Sequence, residues 1–81
     1  MNEEEIKEII FQLLKKIAPD TEPSALQPVE NIKETLNIDS FDSLQFIVAL
    51  NKKTGIEIPE EDYGKIATLQ ALTAYIKNKK P

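Results

Sequence analysis

Two serines, each preceded by an aspartate, stand three residues apart in the stretch NIDSFDSLQF, at residues 37 to 46, just ahead of an apolar run. A serine hydroxyl does chemistry either as an activated nucleophile or as a place where another group is attached. Activation needs a neighbouring base, and the chain contains no histidine and no cysteine, so no triad of the usual kind can be built around Ser40 or Ser43. The second possibility has a physical basis in position. Free N–H groups and a partial positive charge gather at a helix N-terminus, which favours an attached phosphate. Asp39, Ser40, Asp42 and Ser43 are also the residue types that cap helices, a role that contributes about 1 kcal/mol without any chemistry. Both roles remain open at this level. Asp39 and Asp42 further suggest an acidic cation loop, but the glycine and terminal glutamate spacing of an EF-hand is missing, so no metal site is expected.

The elements that must position these residues follow from apolar spacing. Ile6, Ile9, Ile10, Leu13, Leu14 and Ile17 repeat at helical intervals, with Asn2 and Glu5 spaced as a capping box, so residues 3 to 17 are expected to form a first helix. Phe11 falls outside that stripe. Residues 18 to 39 carry Pro19, Pro23 and Pro28 and form a long connection containing a short helical piece at Ile32 and Leu36. Leu26, Val29, Ile32 and Leu36 are expected to pin it to the core. A second helix covers residues 41 to 53, closed by Thr54 and Gly55. Residues 55 to 58 alternate like a strand but have no partner strand, so an extended link is expected there. Pro59, Glu60, Glu61 and Asp62 suit the start of a short helix that Gly64 would stop. Thr68 caps a last helix whose Leu69, Leu72 and Ile76 share a face, with Lys77, Lys79 and Lys80 matching its negative end. The fold class is therefore all-α: a four-helix bundle with three longer helices and one short helix, and a long loop between helices one and two.

The second helix carries one apolar stripe too many. At about 100° per residue, Phe41, Leu44 and Val48 gather on one side, Phe46 and Leu50 on the other, and Ile47 lies between. One stripe must face the bundle; the other is covered by the loop and short helix or left for an external partner.

Composition narrows the function. The 81 residues favour a single domain, and no apolar run approaches the roughly 20 residues that span a bilayer, so no membrane insertion is expected. The opening MNEEEIKE is acidic where export or transit signals need basic residues, and a cytoplasmic location is the expectation. The net charge is −4, with nine acids and four lysines in residues 1 to 39 against five acids and six lysines in residues 40 to 81. Such a surface disfavours nucleic acid and suits basic patches on proteins.

The segment LNIDSFDSLQFIVAL, followed by GIEIPEEDYGKIATLQALTAYI, resembles the acyl carrier proteins over residues 36 to 76, while residues 3 to 17 and the long loop fit more loosely. An Asp-Ser-apolar motif opening an apolar helix is weak alone; EIPEE at the family's distance downstream makes it specific. The resemblance implies that a phosphopantetheinyl transferase, using coenzyme A and a divalent metal, attaches 4′-phosphopantetheine to Ser40. By the family's arrangement the modified serine is Ser40 and not Ser43, although Asp42-Ser43-Leu44 matches the tripeptide more literally. Asp39 would help engage the transferase. Phe41, Asp42, Leu44 and Val48, with Ile58 and Tyr63, would meet partner enzymes, and Phe46, Ile47 and Leu50 would line an interior that shelters an acyl chain. The thiol belongs to the prosthetic group, which makes the lack of cysteine intelligible.

Several positions depart from the family's pattern. Asn37 replaces a frequent glycine, Phe41 a usual leucine and Gln45 a frequent glutamate, and Asn51, Lys52 and Lys53 stand where fatty-acid carriers have a run of acids. Charge complementarity governs encounter rate and partner choice more than final affinity, so a dedicated carrier of a specialised pathway is expected, acting as a monomer with acyl-loading and acyl-using enzymes and without catalysis of its own. Three alternatives differ in what they require. An aminoacyl or peptidyl carrier would use the same serine, an unmodified helical interaction domain would use Ser40 only as a cap, and a small hydrolase would have only a lysine or a carboxylate as its base, with no histidine to build a triad.

Overall fold

The first helix forms where two local signals agree. In the computed structural model, which describes residues 1–79, α1 spans Glu3–Ile17. The Asn2 side chain accepts from the Glu5 amide at 2.9 Å, and the Asn2 amide donates to the Glu5 carboxylate at 3.0 Å, closing the capping box. Its inward stripe, Ile6, Ile10 and Leu14, is almost wholly buried. Each such side chain contributes roughly 1.5–3 kcal/mol by leaving water. Phe11 is half-buried against the same core.

The long connection contains a 3₁₀ turn at Pro23–Ala25 and a single helical turn, α2, at Ile32–Thr35. Leu26, Ile32 and Leu36 enter the core as expected, whereas Val29 is 75% exposed. Val29 lies in a turn between the proline-fixed segment and α2, so its type does not set its direction. Backbone hydrogen bonds complete the attachment: the Ile32 amide donates to Ala67 O at 2.9 Å and the Gln70 amide to Pro28 O at 2.9 Å. An isolated antiparallel bridge joins Asn31 to Thr68, and no β-strand forms among the described residues.

α3 spans Ser40–Thr54 and ends at Gly55, whose φ of 75° provides the left-handed cap. Beyond it the chain is extended, and two polar clasps hold it. The Ile56 amide donates to Thr54 Oγ1 at 3.2 Å, and Asn51 Nδ2 donates to Ile56 O at 3.0 Å. A 3₁₀ helix follows at Glu60–Ile66 and continues through Gly64, which therefore does not stop it. Gly64 faces open space, and the buried Ile66 anchors the segment instead. α4 covers Leu69–Lys79, with the Ala71 amide donating to Thr68 Oγ1 at 3.1 Å as a cap. Lys80 lies outside the described residues.

α1 packs against both α3 and α4, while the 3₁₀ helix packs chiefly against α4. Three longer helices and a short one thus form a helical bundle. α3 and the 3₁₀ helix meet along a thinly packed seam.

Candidate functional site

Which residue caps α3 decides what its serines are free to do. The cap is Asp39, held in extended backbone, whose Oδ1 accepts from the Asp42 amide at 2.8 Å while its carbonyl accepts from the Ser43 amide at 2.9 Å. Ser40 is the first helical residue and is exposed; Ser43 is half-buried one turn on. Neither serine serves as the cap, so the Ser40 hydroxyl is not needed to complete the helix. The chain reaches this point through Asn37, whose φ of 54° is left-handed. Asparagine tolerates that region better than most residues, which explains how it stands in a glycine's place.

Lys33, on α2, donates from Nζ to Ser40 Oγ at 3.3 Å. An ammonium is a donor and cannot take the serine's proton, so this contact does not supply the base a hydrolase would need. Among the described residues no cluster of three carboxylates is placed to hold a metal ion.

The two stripes of α3 separate as its geometry demands. Phe41, Leu44 and Val48 are 67%, 47% and 43% exposed, and form an apolar strip beginning beside Ser40. Phe46, Ile47 and Leu50 are buried. Asp42 is half-buried at the strip's N-terminal end, and Lys52 and Lys53 are exposed at its C-terminal end. Ile58, expected among the partner contacts, is 8% exposed and belongs to the core.

A cavity of about 580 Å³ lies in the thin seam between α3 and the 3₁₀ helix. Ser40, Ser43 and Lys33 are among its lining residues, together with apolar Phe46 and Ile47 of α3 and Leu14 of α1. Tyr63 and Gly64 contribute from the 3₁₀ helix. That volume falls within the range of small-molecule sites, roughly 300–1,000 Å³. Leu50, which sequence reasoning placed in the interior beside Phe46 and Ile47, is buried in the core but does not line this cavity.

The 3₁₀ wall has its own tether. Tyr75 of α4 donates its hydroxyl to Asp62 Oδ2 at 2.7 Å, and Lys65 pairs with Asp62 Oδ1 at 3.2 Å. The Tyr75 hydrogen bond, with Lys65 adding to it, holds the Asp62 carboxyl below its ordinary range. The same bond pushes the Tyr75 phenol up to about 12. Sequence reasoning singled out neither Lys33 nor this tether. Lys33 had a legible signal, since it is the only basic residue between Lys16 and Lys52. The tether had none, because nothing in the spacing pairs Asp62 with Tyr75.

Comparison with known proteins agrees with this geometry. Residues 4–76 match the family described as phosphopantetheine attachment site. The chain is 38% identical over 82 residues to an acyl carrier protein of Thermosynechococcus vestitus, covering 98% of this chain and 96% of the relative. It is 39% identical over 77 residues to an acyl carrier protein of Nitratidesulfovibrio vulgaris, covering 95% of each. An exposed serine at the head of a capped helix, an apolar strip beside it and near-complete coverage of these relatives all lead to one assignment: the chain belongs to the acyl carrier protein family.

Proposed function

We propose that this protein carries acyl groups as thioesters on a 4′-phosphopantetheine arm attached to Ser40, delivering them to enzymes of fatty-acid, lipid or related specialised biosynthesis. The observation that carries the choice of serine is the division of labour at the start of α3. Asp39 completes the helix cap, which leaves the exposed Ser40 hydroxyl available at a turn whose amides favour a phosphate. The group suits the residues present: an anion would sit at the positive end of α3 beside the Lys33 ammonium, with an apolar cavity adjoining it. When bound, the arm supplies the thiol that the chain itself lacks.

Each residue then has a task. Ser40 Oγ becomes the ester oxygen of the phosphodiester as the pyrophosphate bond of coenzyme A breaks and adenosine 3′,5′-bisphosphate leaves, and the hydroxyl proton passes to a base on the phosphopantetheinyl transferase. Asp39 both caps α3 and offers the transferase an exposed carboxylate. Phe41, Leu44 and Val48 dock partner enzymes, with Asp42 and the half-buried Tyr63 at the margins. Lys52 and Lys53 disfavour partners with strongly basic patches and point to a dedicated pathway. A single-domain, monomeric, cytoplasmic carrier with no catalysis of its own completes the proposal.

Incubation with coenzyme A, magnesium and a broad-specificity transferase tests it by intact mass. One phosphopantetheine should add to the wild type and to Ser43→Ala, and none to Ser40→Ala. No gain in the wild type would leave an unmodified interaction domain as the better account. Loading of the modified protein by acyl-transferring rather than amino-acid-adenylating enzymes separates an acyl from an aminoacyl carrier.

A further inference from the structure

Lys33 is an isolated cation in an acidic region. Between Lys16 and Lys52 the chain carries Asp20, Glu22, Glu30, Glu34, Asp39 and Asp42 but no other basic residue. Despite these neighbours Lys33 forms no salt bridge among the described residues; its ammonium instead donates to the neutral Ser40 hydroxyl at 3.3 Å. Two elements bring the pair together. Asn31 caps α2 by accepting from the Glu34 amide at 2.9 Å, and the left-handed Asn37 turns the chain back into α3. Of the residues lining the cavity only Lys33 and Glu60 are charged, and Lys33 is the cation.

From this placement we infer that Lys33 is a positioning residue for the prosthetic arm: its ammonium pairs with the phosphodiester on Ser40 and holds the arm's first segment at the rim of the cavity between α3 and the 3₁₀ helix. The inference rests on attachment at Ser40. A phosphate there places anionic oxygens two bonds beyond the hydroxyl oxygen that Lys33 already reaches, so a weak ion–dipole contact becomes a charge-assisted hydrogen bond. The helix N-terminus favours the same anion from the other side, and the two effects together restrain the phosphate that would otherwise swing freely in water. An exposed ion pair is modest, and the restraint is correspondingly partial. It biases the arm toward the cavity rim while leaving it free to depart for a partner's active site, as a shuttle requires.

The test uses the full chain, modified by a transferase, as wild type, Lys33→Met, Lys33→Arg and a Lys53→Met control. Intact mass first establishes modification. The phosphodiester ³¹P resonance and the nuclear Overhauser contacts between the arm's geminal methyl groups and Leu44 or Tyr63 are then measured, with backbone amide spectra as the check on folding. Lys33→Met should move the ³¹P resonance and weaken the arm-to-rim contacts roughly two- to fivefold, the equilibrium equivalent of one exposed ion pair. Arginine should restore both, and Lys53→Met should leave both unchanged. Modified Lys33→Met with wild-type ³¹P shift and contacts would overturn the inference while leaving the carrier function intact. A wild type that gains no mass would overturn the carrier function and this inference with it.

Discussion

Two of the helical segments that border the cavity beside Ser40, α1 and the 3₁₀ helix, are held in opposite ways. α1 is a fifteen-residue helix with a reciprocal cap and an inward stripe of three buried aliphatic residues, and it packs on both other long helices. The Glu60–Ile66 segment is a seven-residue 3₁₀ helix with no side-chain cap, one buried residue in Ile66, and a side-chain tether from Asp62 to Tyr75. Stability in a small domain is not uniform, and segments with few buried apolar contacts open at lower free energy than the core. One wall is therefore the more firmly held, and local opening should cost least at the other.

The largest test of this contrast strikes the more firmly held wall. Ile10→Ala removes a wholly buried side chain that does not line the cavity, and should cost about 2–5 kcal/mol in chemical denaturation. A loss under about 1 kcal/mol would mean that α1 is not the rigid element described here. A smaller effect is expected at the entrance to α3. Asn37→Ala should destabilise the fold by about 1–2 kcal/mol because its φ is left-handed, whereas Asn37→Gly should be neutral or slightly stabilising. Equal losses in both variants would show that the asparagine side chain, and not the backbone conformation, matters there.

The smallest effect on global stability, and the most local, concerns the 3₁₀ wall. Tyr75→Phe should raise hydrogen exchange across residues 60 to 66 while leaving α1 amides protected. The pH dependence has a defined direction at each end. Tyr75 is pushed up to about 12 from an ordinary 10.0, so its contribution is complete below pH 10 and is lost as pH rises from 10 to 12. Asp62 is held below its ordinary 3.8, so its contribution is present above that pH and is lost as pH falls below it. Protection factors in residues 60 to 66, taken relative to the intrinsic exchange rate at each pH, should therefore fall at both extremes in the wild type and fall less at alkaline pH in Tyr75→Phe. Equal alkaline sensitivity in the two proteins would remove the tether from the account.

What could be read from sequence follows the same division. α1 was legible because stripe, cap and length all agree, and α3 because its two apolar stripes were evident, although spacing alone left open whether the Phe41, Leu44 and Val48 side was covered or, as the structure has it, exposed. The loop and the 3₁₀ wall were less legible, since they are placed by contacts that leave no periodicity. Val29 is apolar yet exposed, and Gly64 sits inside a helix it was expected to end. The backbone bonds from Ile32 to Ala67 and from Gln70 to Pro28 involve no side chain at all. At the site, residue types alone left Asp39 and Ser40 equally suited to cap α3; the Asp39-to-Asp42 bond at 2.8 Å separates them. Resemblance to a family had already favoured Ser40, and the cap gives that choice a physical reason.

The most direct measurement is fragment-ion mapping of the modified wild-type chain. Trypsin cuts after Lys33 and Lys52, and the peptide between them holds both Ser40 and Ser43. Phosphopantetheine should appear on every fragment that includes Ser40 and on none that begins at Phe41. Added mass on fragments beginning at Phe41 would assign the arm to Ser43, and would contradict the account at its centre.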